Sequence, residues 1–426
     1  MLDAVKEHGG GVNCMTLSED SSILVTGFED RSIRVWTTKT KRCECIGILT
    51  GHEKYISSVV IEEVFVVSGS ADNTLRKWDM SVSDCMLVFQ GHTGRINRIV
   101  CTGDFLFSSS NDRSIRCWDF DTGDCIREFT GHTNCVFPLI FVPAEDADLE
   151  TDFIQLNPNE MPKSSKIKDI IISGSTDQTA RSWSFETGQT LRVFTGHSGI
   201  VTSISTDVEA KILFTCSTDG TVRSWKMESG ECLKIYEGHT GGIICMTIVN
   251  RTIFTGSSDQ TARGWTIDWG SKDPVLFTGH SNTIFCIKFY EGMVFTGSSD
   301  GSVLCFDSKT GELRRAFRGP PHTSINSMQF VESRLFTGST DGTLRVWTLK
   351  GLRRTPPASQ GSQPPTTTTI PQNNINKKPY LVAPNNNIDN TNNSVNNNNN
   401  NYRNNMKSPI NSTNKKNNND VDGNVT

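Results

Sequence analysis

No run of 18 apolar residues occurs in this chain, so no stretch is suited to crossing a bilayer as a helix. Positive charge is not in excess either. The 42 Lys and Arg stand against 46 Asp and Glu, for a net charge of −4, so the basic footprint of a nucleic-acid binder is missing. The N-terminal MLDAVKEHGGG lacks the basic-then-apolar pattern of a secretory leader. A soluble, cytoplasmic protein is expected, with the nucleus also open to it. Cysteine is plentiful, at 13, but no CxxC pair exists, and the nearest approach is Cys43-Glu44-Cys45. Structural zinc needs paired ligands at fixed spacing, so these thiols read as small, reduced core residues and no metal is expected. There is no Gly-rich phosphate loop, no HExxH and no GxSxG with a plausible triad. No enzyme and no cofactor are expected.

What is present is a repeat. Eight histidines occur, and each falls at one phase of it: His8, His52, His92, His132, His197, His239, His280 and His322. The spacings are 44, 40, 40, 65, 42, 41 and 42 residues. In the third unit, GHTGRINRIVCTGDFLFSSSNDRSIRCWD, four short strands are predicted: Arg95–Cys101, Phe105–Ser109, Ile115–Asp119 and Asp124–Phe129. A period near 40 with Gly-His at one end and Trp-Asp at the other is the signature of a four-stranded propeller blade.

Four positions recur in register: His8-Thr26-Asp30-Trp36, His52-Ser68-Asp72-Trp78, His92-Ser108-Asp112-Trp118 and His132-Ser173-Asp177-Trp183. The remaining sets are His197-Thr215-Asp219-Trp225, His239-Thr255-Asp259-Trp265, His280-Thr296-Asp300-Phe306 and His322-Thr337-Asp341-Trp347. On these residues the chain resembles the WD-repeat propeller family over about residues 1–350. The resemblance implies a hydrogen-bonded tetrad inside each blade. The chemistry suits one: indole N–H only donates, carboxylate only accepts, and hydroxyl and imidazole do both. Phe306 has no donor, so the seventh blade should lack the Trp end.

The expected fold is an all-β, eight-bladed propeller over residues 1–350, closed by a strand within Leu2–Glu7 beside Leu344–Leu349, which removes an open edge. The span 143–168 reads as an insertion in the fourth repeat, acidic (Glu145 to Asp152) and then basic (Lys163, Lys166, Lys168). Family resemblance puts that loop on the face opposite the Gly-His loops. Residues 351–426 are Pro/Thr-rich and then Asn-rich, and are expected to be disordered for want of apolar residues.

With every His assigned to a structural phase, binding is the stronger expectation. In the family, residues three and five after each His, and the residue before each Asp, line the upper face. Here the five-after set is Asn13, Ser57, Asn97, Phe137, Thr202, Ile244, Phe285 and, in the last repeat, Asn326. The three-after set includes Tyr55, Arg95 and Ile200. Tyr55, Arg95, Asn97, Phe137, Ile200, Ile244 and Phe285 are therefore the candidate contacts for a protein partner on a monomeric scaffold. A ubiquitin-ligase substrate receptor or adaptor is the alternative. Its usual Trp-Asp-x-Arg support is missing: the residues three after each tetrad aromatic are Lys39, Ser81, Asp121, Glu186, Glu228, Asp268, Lys309 and Lys350. Readers of phosphorylated degrons in this family carry several Arg on this face, whereas this chain has only Arg95 there. A further series, Arg34, Arg76, Arg116, Arg181, Arg223, Arg263 and Arg345, lies two before the aromatic. These are expected to pack their stems between blades and to meet a blade carboxylate.

Overall fold

Each repeat offers strands too short to bury two faces alone, and the structure solves this radially. A computed structural model describes residues 1–6, 9–40, 42–144, 169–249, 251–267 and 273–352. His8, most of the insertion and the tail beyond 352 lie outside them. The described residues form eight antiparallel sheets of four strands each. Blade three shows the pattern: Ile96–Cys101, Phe105–Ser110, Ile115–Asp119 and Cys125–Phe129, paired in sequence order. These bounds agree with the predicted ones to within one residue. The insertion falls between Val136–Val142 and Ile170–Ser175, the first and second strands of blade four.

Closure is as expected. The strand Asp3–Val5 pairs antiparallel with Leu344–Thr348, in register Asp3↔Val346, Ala4↔Arg345 and Val5↔Leu344. The first residues of the chain thus become the outer strand of blade eight, and the two ends of the propeller share one sheet.

The core lies between blades. Val25, Ile33, Val35 and Leu49 of blade one pack with Ile56, Val59, Val66 and Trp78 of blade two. Val12, Phe28 and Trp36 of blade one pack with Phe336, Leu344 and Val346 of blade eight across the seam. Approach is close where the second strand faces the next inner strand: a Cβ at Gly69 would meet Ile96 Cγ2 at 2.6 Å. Only glycine lets the neighbouring isoleucine seat there.

One irregularity recurs in all eight inner strands and aims the residues that matter. The ladder between first and second strands skips a residue, for example between Ile96 and Arg98, Ile284 and Cys286, and Ile325 and Ser327. The skipped residue is the one five after the His, or its equivalent. A bulged residue leaves the pairing pattern and its side chain is re-aimed. In blade four both Phe137 and Pro138 are skipped, between Val136 and Leu139, and proline has no N–H to lose from the ladder.

Candidate functional site

The tetrads account for the groups that look most like chemistry. In blades two to seven, His Nδ1 lies 2.6–2.8 Å from the Asp carboxylate and His Nε2 lies 2.7–2.9 Å from the Ser or Thr hydroxyl. Carboxylate only accepts, so Nδ1 carries the proton and the hydroxyl donates to Nε2. The hydroxyl oxygen then accepts the indole N–H, as in Trp118 to Ser108 at 2.8 Å. Every polar atom of the tetrad has one satisfying role. A further member was missed in the sequence reading. A hydroxyl two residues after the Asp, such as Ser114, donates to the Asp112 carboxylate at 2.7 Å, and its counterpart is present in all eight repeats. The signal was there, two places from the aspartate.

Burial tends to raise the aspartate pKa values, but hydrogen bonds from His, hydroxyl and backbone outweigh it. Asp72, Asp112, Asp177 and Asp300 end well below the usual carboxylate range, and Asp259 at about 2. Burial pushes His197 and His239 down. These groups hold blades together and are not poised as acids or bases.

Two blades depart. Blade seven has Phe306, buried and without a donor, so the Thr296 oxygen, whose hydroxyl still meets His280 Nε2 at 2.8 Å, receives no indole N–H. This is the expected loss. Blade eight corrects the sequence reading: His322 is exposed, with φ +65°, and no tetrad forms on it. Gly319-Pro320-Pro321-His322 makes this loop one residue longer than in the other blades, and Pro320 follows the glycine where the histidine stands elsewhere. Arg345 fills the gap. Its Nη1 donates to Ser339 Oγ at 2.6 Å and its Nη2 to Asp341, while Trp347 still donates to Thr337 at 2.9 Å.

The arginine series needs a second correction. Arg116 (Glu128, 3.2 Å) and Arg345 (Asp341) meet a blade carboxylate as expected. Arg76, Arg181, Arg223 and Arg263 instead place the guanidinium 5.8–6.0 Å from the ring of their own blade's Trp. The glycine before each His closes over it: a Cβ at Gly196 would meet Arg223 Nη1 at 2.6 Å. The indole face and the loop cover the cation, so no carboxylate is needed there.

At the axis the bulged residues converge. Asn13, Ser57, Asn97, Phe137, Thr202, Ile244, Phe285 and Asn326, one from each blade, line a cavity of about 370 Å³ with Tyr55, Arg95, Arg98 and Pro138. Six of the seven proposed contact residues are therefore brought together. Ile200 is not: it stands exposed on the rim, its carbonyl tied to the Thr218 N–H at 3.0 Å. Arg98 and Pro138 were missed. They sit one residue past the bulge, where a strict alternation turns side chains away from the axis.

The eight ring positions are of two kinds, five bonding and three apolar, and Thr202 of blade five stands between Phe137 and Ile244. Asn13, Ser57, Asn97, Thr202 and Asn326 each donate to the inner-strand carbonyl of the next blade: Ile56, Ile96, Val136, Ile243 and Val12, at 2.5–3.0 Å. Phe137, Ile244 and Phe285 have no donor and present apolar surface. Arg95 spans the mouth. Its Nη1 donates to the Tyr55 hydroxyl of blade two at 2.7 Å, its Nε to Asn97 Oδ1 at 3.0 Å, and its guanidinium lies 5.9 Å from the Phe137 ring of blade four. Asn97 is saturated: besides accepting from Arg95 it donates to Asn111 Oδ1 and Val136 O. Its role is to hold Arg95 and the seam.

An eight-bladed propeller whose tetrads are structural and whose axial cavity is part polar and part aromatic belongs to the class of rigid interaction modules. The model of the WD domain, G-beta repeat, matches residues 2–37, 43–79, 83–119, 188–226, 230–266, 272–307 and 311–348, and the chain belongs to the WD-repeat family. The unmatched stretch between 119 and 188 holds the first three strands of the interrupted fourth blade. The chain is similar to human WD repeat-containing protein 86, 37% identical over 62 residues, covering 15% of this chain and 16% of that protein. It is similar to Mitochondrial division protein 1 of Neurospora crassa, 31% identical over 81 residues, covering 19% of this chain and 12% of that one. The matches thus span under a fifth of these relatives. The crystal structure of the computationally designed Ika8 protein superposes with a TM-score of 0.68 at 25% identity, covering 82% of this chain and 99% of that chain.

Proposed function

We propose that this chain is a non-catalytic interaction scaffold that receives a segment of a protein partner in the mouth of its central channel. The observation that carries the reading is the convergence of Tyr55, Arg95, Phe137, Ile244 and Phe285 on one cavity. Aromatic and arginine side chains around a concavity are the usual anchors of a protein interface. Eight blades, closed by the strand Asp3–Val5 on Leu344–Thr348, hold that mouth rigid, so little ordering cost falls on the scaffold. The absence of catalysis rests on the tetrads, in which both imidazole nitrogens and the carboxylate are engaged in blades two to seven. Of the two relatives named above, one carries a name that states no process and the other is matched over 12% of its length, so they support the module rather than a pathway.

The test is proximity labelling with the full chain against a Tyr55→Ala/Phe137→Ala double variant. Partners should be lost while the melting temperature stays nearly unchanged. An unchanged partner set with a lowered melting temperature would make these residues packing only and sink the proposal.

A further inference from the structure

We infer that the partner segment carries a carboxylate beside a bulky apolar side chain, with Arg95 taking the acid and the Phe137–Ile244–Phe285 side of the cavity taking the apolar group. The inference rests on the reading above and deepens it. Its first support is charge. The cavity is lined by two arginines, Arg95 and Arg98, and by no Asp or Glu. The partners of Arg95 are all neutral: a phenol, an amide oxygen and a phenyl ring. No carboxylate among the described residues lies within ion-pair distance of it, and its Nη2 donates to none of them.

The second support is preorganisation. A guanidinium offers five N–H groups in a planar fork that matches a carboxylate. Here Nε and one Nη1 hydrogen are fixed by Asn97 and Tyr55, while the Nη2 edge stays open. A flexible arginine must be ordered on binding, but this one is already held, by bonds that leave its charge unmatched. The third support is adjacency. Phe137 lies against the guanidinium and lines the same cavity as Pro138, Ile244 and Phe285. A volume of about 370 Å³ admits a few side chains and excludes a folded domain, so the ligand is an extended segment. The chain's overall charge is negative, yet beyond about 8 Å it is screened at physiological salt. The local sign in the mouth therefore sets the preference. A phosphate dianion usually takes several cations, and the mouth presents one open guanidinium edge, so the carboxylate is the better match.

The test uses a phage-displayed library of random peptides panned against the full chain, followed by fluorescence polarisation on enriched peptides. They should share an Asp or Glu next to Phe, Leu or Trp. Arg95→Met should weaken binding about ten-fold or more, as expected for losing a charge-assisted hydrogen bond, and Arg95→Lys less. Changing the peptide acid to its amide should weaken binding to the unmodified chain but not further to Arg95→Met. That coupling decides the matter even if Arg95→Met also lowers the melting temperature. Enriched peptides without an acid, lost on Ile244→Asp and indifferent to Arg95→Met, would overturn the carboxylate and leave the mouth as the binding site. A phosphoserine in place of the acid that binds ten-fold tighter would also overturn it, in favour of a phosphate reader. Failure to enrich any peptide, or enriched peptides indifferent to every cavity variant, would remove both readings.

Discussion

Arg345 sits on Asp341 at the point where a histidine sits in each of blades two to seven. The side chain comes from a different strand, two residues before the Trp, and reaches the same carboxylate. Blade eight is also where the two ends of the propeller meet, and a permanent cation there replaces an aromatic hydrogen-bond relay with an ion pair.

That exchange separates two arginines that look equivalent in the sequence. Arg345→Met leaves the Asp341 carboxylate, held well below the usual range, with burial opposing its charge and its strongest partner gone. Breaking a buried pair on one side costs about 3 kcal/mol, discounted somewhat here because Asp341 keeps 17% of its side chain exposed. Arg223→Met loses stacking on Trp225 and strands no carboxylate, so about 1 kcal/mol is expected. Urea unfolding of the two variants checks the order, and equal losses would mean Arg345 is not replacing a tetrad member.

Stability should fall with acid in two stages. Burial lowers His197 and His239 below the ordinary 6.5. The unfolded chain therefore takes up their protons first, and their contribution begins to be lost as pH falls below 6.5. The tetrad aspartates are depressed below 3.8 in the folded state. Their contribution is full above 3.8 and is lost as pH falls further, toward their folded values. The unfolding midpoint should decline gently from pH 6.5 to 4 and steeply below 4. A midpoint flat to pH 3 would mean that the His–Asp pairs do not set acid stability.

Most of the fold was legible because its signals are local and repeated. Gly-His, the hydroxyl four before Asp, and Trp recur at fixed phase, so eight blades and even the strand that closes the ring follow from counting. His322 misled because the phase was read from a residue name, whereas Gly319-Pro320-Pro321 displaces it. Arg345 was invisible as its replacement, since six other repeats carry Arg at that place, and Arg76, Arg181, Arg223 and Arg263 lie over the Trp ring there. The cavity lining was legible at the five-after positions. It was not at Arg98 and Pro138, because the bulge breaks the alternation that places side chains on one face or the other.

The division of the ring into five bonding and three apolar positions makes a last prediction. Asn326 Nδ2 donates to the Val12 carbonyl at 2.9 Å, joining the last blade to the first across 314 residues of sequence. Phe285, at the same bulge in the preceding blade, makes no such bond and is half-buried at the mouth. Asn326→Leu fits the position, since Ile244 occupies it in blade six, but it removes a hydrogen bond worth about 1 kcal/mol and deprives the Val12 carbonyl of its donor. Phe285→Ala removes surface that faces the cavity rather than a seam. Asn326→Leu should therefore lower the urea midpoint and leave peptide affinity within about two-fold, while Phe285→Ala should do the reverse. If both variants lowered stability alike and neither changed binding, the ring would be one structural belt, and the apolar positions would have no separate role.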